Sequence, residues 1–256
     1  MIDLIKKLEV SVILVCRSTL GTINHSLLSI ECLRARKIDI AGVILSGKRN
    51  EKNKAAIEKY GKVKILVIFD EVAVGFGRTG HMFVCNSVNC KPDLLCVSKG
   101  LTAGYLPLSA TICSDEIYDC FLSSKIDKTF LHGHTFTANP LACSVANASL
   151  DLFKIEQTFK KIRKIEEHHR EFTKSLITQS KVEKIRVLGS ILAFNLKNSS
   201  NNYKEIESEK LRTLFSKGHL NIRPIGSCIY LLPPYCIDNE QLKRAYSGII
   251  ETLEKV

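Results

Sequence analysis

Two residues could act together if the apolar runs before them are strands. Asp70 closes the run Ile65-Leu-Val-Ile-Phe69 and is followed by Glu71 and Val72. Lys99 lies in Ser98-Lys99-Gly100, directly after the run Leu94-Leu-Cys-Val97. Short continuous apolar runs are the mark of buried strands in a parallel sheet, and such sheets hold their ligands at the strands' carboxyl ends. A lysine amine placed there can form a Schiff base. An acid beside it can keep the nitrogen of a heteroaromatic ring protonated, and pyridoxal phosphate chemistry needs that pair. Taken one at a time, Asp70 reads as a helix cap or turn acid and Lys99 as one surface lysine among many.

The elements that must position the pair follow an α/β rhythm. Strand and helix patterns alternate as strand 10–16, helix 21–36, strand 40–46, helix 51–60 and strand 63–69, which predicts βαβ units and a parallel sheet. Strands at 93–97 and 108–113 and a helix from Asn139 to about Phe153 come next. Helix 156–179 shows apolar residues at Phe159, Ile162, Ile165, Phe172 and Leu176. Strands at 184–188 and 190–196, helix 203–217, short strands at 221–224 and 228–232, and helix 239–254 complete the reading, with Asn198–Asn202 a polar turn. The change to short strands with flanking helices marks a second, α+β subdomain after about residue 152.

Longer words surround the pair. Phe69-Asp-Glu-Val-Ala-Val-Gly-Phe-Gly-Arg-Thr-Gly80, Ser98-Lys-Gly-Leu-Thr-Ala-Gly-Tyr-Leu-Pro-Leu108 and His132-Gly-His-Thr-Phe-Thr-Ala-Asn-Pro140 resemble the class III aminotransferases of fold type I. Asn221-Ile-Arg-Pro-Ile-Gly226 and Ile229-Tyr-Leu-Leu-Pro-Pro-Tyr235 are similar to the diaminopelargonic acid aminotransferases of biotin synthesis. The resemblance covers about residues 67–256. It implies pyridoxal 5'-phosphate as cofactor, Lys99 as the Schiff-base lysine that also moves the substrate proton, and Asp70 as the partner of the ring nitrogen. It places His134 and Thr135 at the cofactor phosphate, Thr135 reaching it from the partner subunit of a homodimer. Gly133, Arg223 and Tyr230 are implied to bind substrate, with Arg223 gripping a carboxylate, which a guanidinium fork suits. The implied reaction moves an amino group from S-adenosylmethionine (lysine in some relatives) to 7-keto-8-aminopelargonate, giving 7,8-diaminopelargonate. One position departs from the pattern: Ala138 stands where the family usually has glycine.

The first quarter resembles something else. Val12–Val15, Leu20–His25 and Ile40–Leu45 are similar to the C-terminal part of dethiobiotin synthetases, which act next in the same pathway. Three parts are therefore expected: a synthetase-like fragment at 1–66, a cofactor-binding large-domain fragment at 67–152 and a small domain at 153–256. The seam falls within Lys62–Phe69, and the chain reads as a two-enzyme fusion lacking its middle. Impaired cofactor binding and slow turnover follow, with a non-catalytic remnant or an interaction partner of intact biotin enzymes as the alternative. Synthetase activity is not expected. No phosphate-binding loop is present to neutralise a transferring phosphate, and Ser46 stands where that family offers an asparagine to adenine.

Two motif matches and the overall composition bound the reading further. Gly75-Phe-Gly77-Arg-Thr-Gly80 spells G-x-G-x-x-G, but Glu71–Val74 separate it from the strand and no acid lies between Asp93 and Asp115. Gly42-Val-Ile-Leu-Ser-Gly47-Lys48-Arg49 lacks the Ser/Thr of a P-loop. His132 and His134 without a third ligand, and Cys85, Cys90 and Cys96 without C-x-x-C spacing, point to no metal. Of the net charge of +11, +4 falls in Lys154–Lys184, where nine basic residues mix with five glutamates, the pattern of a solvated helix face rather than of a nucleic-acid binder. No apolar run approaches the ~18 residues of a membrane span. Ten cysteines without paired spacing and an N-terminus without a signal pattern imply the cytoplasm, any mitochondrial targeting segment having to precede this sequence.

Overall fold

Val12–Arg17 (β1) and Ile40–Ser46 (β2) pair in parallel, with Thr22–Ala35 (α1) crossing between them. Glu51–Gly61 (α2) follows, its first turn capped by Asn50, whose side chain accepts from the Asn53 N–H at 3.0 Å. These elements bury Ile30, Val43, Ile57 and Ile65 as one small core. The structure is a computed structural model that describes residues 5, 12–17, 21–46, 50–88, 90–124, 126, 129–197 and 205–255. The first strand's start at 10–11, the Gly47-Lys48-Arg49 triplet, the polar turn 198–202 and the first residues of helix 203–217 lie outside them.

The strand expected at 63–69 is divided between two partners. Ile65 makes a single parallel bridge to Val43, with Val43 N–H donating to Lys64 O and Leu66 N–H to Val43 O, both at 3.2 Å. Ile68–Asp70 (β3) then pairs in parallel with Leu94–Val97 (β4), Asp70 opposite Cys96. At the changeover the Val67 N–H donates to the Asp93 carboxylate at 2.8 Å, which satisfies a backbone group that neither ladder takes. Ala110–Cys113 (β5) completes a three-stranded sheet of order β3-β4-β5. It starts two residues later than expected, because the Leu108 carbonyl accepts from the Ser98 hydroxyl at 2.8 Å.

Two compact units result, Met1–Asp70 with Cys90–Cys96 and Thr111–His132, and Glu71–Asn89 with Val97–Ala110 and Gly133–Val256. Three short elements carried no periodic signal: Val84–Ser87 (α3), Asp115–Asp119 (α4) and a 3₁₀ turn at Lys99–Thr102.

The second unit owes its core to amphipathic helices on a small antiparallel sheet. Pro140–Ile155 (α5) starts at Asn139, whose side chain accepts from the Leu141 and Ala142 N–H groups. In Thr158–Ile177 (α6), Ile162, Ile165, His169, Phe172 and Leu176 recur at helical spacing and are buried. Val182–Leu188 (β6), Ile191–Leu196 (β7) and Cys228–Leu231 (β8) form the sheet, in that order. Glu205–Lys217 (α7) and Asn239–Glu254 (α8) bring Leu211, Phe215, Leu242, Tyr246, Ile249 and Leu253 to the same core. Asp238 and Gln241 form a reciprocal capping box at the start of α8. The short strand expected at 221–224 does not form. Pro224 has no N–H to give a ladder, and only Ile225 bridges, to Cys228. Among the described residues, no helix is long and apolar enough to cross a membrane.

Candidate active site

Asp70 is the last residue of β3 and is exposed. The residue after it is buried: Glu71 is 1% exposed, and its carboxylate accepts the N–H groups of Val84 and Cys85 at 2.8 and 2.9 Å. An acid at the start of a loop that grips the loop's far end makes 71–85 a closed, rigid segment. Burial, and then the Glu71 carboxylate, push the Cys85 thiol up, which suits a packing rather than a reactive cysteine. Within the loop, Gly75 donates to Glu71 O at 2.9 Å, and a Cβ there would lie 2.8 Å from that oxygen. The first two glycines of the G-x-G-x-x-G word, Gly75 and Gly77, thus serve close packing. A side chain at Gly77 would also meet Ile162 Cδ1 at 2.7 Å.

Lys99 follows β4 by two residues and opens the 3₁₀ turn. Its φ is +35°, a region that residues with a Cβ rarely adopt. Such strain persists only where the surroundings over-determine it, and it clusters at functional sites. Here the Ser98 hydroxyl donates to Leu108 O, the Gly104 N–H to Lys99 O at 3.1 Å and the Ser149 hydroxyl to Gly100 O at 3.5 Å. The Lys99 side chain itself is exposed. β3 and β4 are neighbours in register, and Lys99 follows Cys96, the partner of Asp70, by three residues.

Gly133, His134 and Thr135 share one exposed loop that leads into α5. The His134 ring accepts the Phe136 N–H at Nδ1 (3.1 Å), so the proton of a neutral ring sits on Nε2. The Thr137 hydroxyl accepts the His134 N–H at 3.0 Å. Turn 135–138 ends at Ala138 with φ +52°, the conformation glycine adopts without strain. The physical demand behind the family's usual glycine is therefore present here, and alanine meets it under strain.

Arg223 is exposed and borders a cavity of about 580 Å³ together with Ser208, Glu209, Arg212 and Ile225. Tyr230 is half-buried on β8, opposite Ala193, and does not line that cavity. Asp70 belongs to the first unit; Lys99, Gly133, His134, Thr135, Arg223 and Tyr230 belong to the second. Within the second unit the donors suit a phosphorylated aldehyde: an amine on a strained turn, and a hydroxyl and an imidazole ahead of a helix N-terminus, where anions are favoured. Sequence reasoning passed over Glu71, Arg78, Arg212 and Tyr235. Glu71 and Arg78 lie in the same word as Asp70 and Tyr235 closes a second word, so only Arg212 carried no signal.

The family model for aminotransferase class-III matches residues 42–253, and one for an AAA domain matches residues 1–73, so the two overlap over 42–73. An adenosylmethionine-8-amino-7-oxononanoate aminotransferase of Synechococcus elongatus is 40% identical over 191 residues, covering 75% of this chain and 45% of the relative. Its counterpart from Helicobacter pylori is 40% identical over 197 residues, covering 75% and 44%. The crystal structure of the Methanocaldococcus jannaschii enzyme of that name superposes with a TM-score of 0.72 at 29% identity, over 93% of this chain and 58% of that one. The chain thus spans about 45% of the length of the curated relatives it matches.

Proposed function

The chain belongs to the class III aminotransferases, and from that premise we propose that it is a pyridoxal phosphate-dependent amino-transfer protein of biotin synthesis. The fold is that of fold type I transferases, an α/β architecture, and the family acts on small molecules with this cofactor. The observation that carries the reading is the register of β3 with β4, which ends one strand in Asp70 and leads the next into Lys99 on a strained turn.

When bound, the cofactor supplies an aldehyde and an electron-accepting ring. Lys99 would hold it through its amine and would carry the proton between substrate carbon and cofactor carbon. Asp70 would keep the ring nitrogen protonated by placing an opposite charge beside it. Thr135 and His134 would hold the phosphate, Thr135 from the second copy of a homodimer. Gly133, Arg223 and Tyr230 would hold the substrate, Arg223 by pairing with a carboxylate. S-adenosylmethionine as donor, 7-keto-8-aminopelargonate as acceptor and a cytoplasmic location complete the proposal. The three-part division at 1–66, 67–152 and 153–256 stays part of it, with no ATP-dependent ring closure by the first part.

Titrating the purified chain with pyridoxal phosphate tests this reading. A visible absorbance band of the lysine-bound cofactor is expected in the parent and none in Lys99→Ala. A parent chain that acquires no band would sink the catalytic reading and favour the non-catalytic alternative.

A further inference from the structure

The turn that presents Lys99 is held by few bonds of its own. Leu101 N–H donates to Ser98 O at 2.9 Å, and Ala103 N–H to Gly100 O at 3.1 Å. A single 3₁₀ turn with a left-handed first residue would open readily in isolation. Beyond the Ser98 and Ser149 hydrogen bonds, packing support comes from Phe76. A Cβ built on Gly100 would lie 2.9 Å from Phe76 Cβ and 3.0 Å from Phe76 Cδ2, so the phenylalanine side chain rests on the Gly100 backbone, one residue from Lys99.

Phe76 is itself strongly constrained. It is 4% exposed, has φ +58° and sets its ring edge-on to Phe83 at 5.4 Å. Its N–H donates to Met82 O at 2.7 Å, and its carbonyl accepts from the Tyr235 hydroxyl at 2.8 Å. The Tyr235 ring carries the Arg78 guanidinium 4.5 Å from its centroid, and Arg78 in turn donates to Pro233 O at 2.7 Å. Burial pushes the Tyr235 phenol up, against the opposing effect of Arg78, so the hydroxyl stays a donor. Behind the loop, Ser190 donates to Arg78 O through its N–H at 3.0 Å and its hydroxyl at 3.2 Å. A Cβ at Gly189 would lie 2.6 Å from Arg78 O, so the 189–190 turn closes directly on the loop's backbone. All these residues belong to the second unit.

We propose that Phe76, pinned through its carbonyl by Tyr235 and through the loop by Arg78, is a positioning residue for Lys99. It braces the 3₁₀ turn at Gly100 so that the amine is presented in one orientation, which is what a reacting group held in place requires. The role rests on the reading of Lys99 as the cofactor-binding lysine. Simple packing would fill the same space, but it would not need a phenol aimed at the Phe76 backbone.

The test uses the full chain with Tyr235→Phe, which keeps the ring under Arg78 and removes only the hydroxyl, and with Phe76→Leu. Hydrogen exchange is read at the Leu101, Ala103 and Gly104 amides, with the α8 amides as the internal reference. Exchange about tenfold faster at those three amides is expected in Tyr235→Phe, the effect of one lost hydrogen bond, with the reference unchanged. Should Phe76→Leu fail to fold, Tyr235→Phe decides alone. Lysine trapping with pyridoxal phosphate and borohydride, followed by peptide mapping, supplies the second readout. Trapping at Lys99 about tenfold slower is expected in the variants, with no change at other lysines. Unchanged exchange at the three amides overturns the brace. Trapping at Lys99 in the parent that proceeds equally well in both variants overturns the positioning role. A parent not trapped at Lys99 overturns instead the reading of Lys99 on which the proposal stands.

Discussion

Acid should weaken the core of the second unit through a single imidazole. His169 is fully buried on the inner face of α6. Its Nε2 faces the Ser190 carbonyl at 3.2 Å and its Nδ1 the Tyr246 hydroxyl at 2.7 Å. A carbonyl can only accept, so Nε2 carries the proton and Nδ1 takes the phenol's hydrogen. Burial keeps that phenol protonated, and its ring stacks on Phe172 at 4.2 Å. Both ring nitrogens are satisfied in the neutral form, and burial disfavours the charged one. Burial pushes the His169 pKa from 6.5 down to about 4, outweighing the Ser190 hydrogen bond that raises it; His168 adds to the fall and Glu166 opposes it. The unfolded chain therefore takes up a proton here near pH 6.5, while the folded chain resists until about pH 4. Stability from this residue is fully present above about pH 6.5 and drains away as the pH falls through that window, by about 3 kcal/mol at pH 4. His169→Gln should keep both partners, an amide N–H for Ser190 and an amide oxygen for Tyr246, but cannot titrate. Urea unfolding of parent and variant at stepped pH isolates the effect, since carboxylates that titrate in the same range are common to both. The variant should be the less stable at pH 7, and the parent's lead should shrink by about 3 kcal/mol between pH 7 and pH 4. Parallel stability curves over that range would refute the argument.

Other positions allow equally direct tests. Ala138→Gly should raise stability by about 1 kcal/mol, because it removes a Cβ from a left-handed position; a midpoint in urea that fails to rise would show the turn to be unstrained. Glu71→Gln should cost about 1.5–3 kcal/mol, since an amide leaves one of the Val84 and Cys85 N–H groups without its charged acceptor. An unchanged urea midpoint in that variant would mean that the loop closes without the carboxylate.

Much of this molecule was legible in one dimension because it rests on short-range physics. Apolar periodicity located α6, and the helix expected at 239–254 forms as α8. Asp70 and Lys99 could be singled out because each followed an apolar run that had to be a strand, and both runs became neighbouring parallel strands. The sequence could not show that residues 63–70 serve two partners, because an apolar run encodes burial but not which neighbour supplies its hydrogen bonds. Nor could it distinguish Glu71 from a surface acid or His169 from a solvated one, since burial of a polar group is decided by what converges on it from 13 to 77 residues away. Lys99 and Ala138 take up left-handed backbone with no glycine to announce it, a strain that only surrounding contacts can impose. Residue types and spacing were enough to nominate the reactive groups. The brace proposed for the Lys99 turn joins Phe76 to Tyr235, 159 residues away along the chain, and the two meet only once the chain has folded.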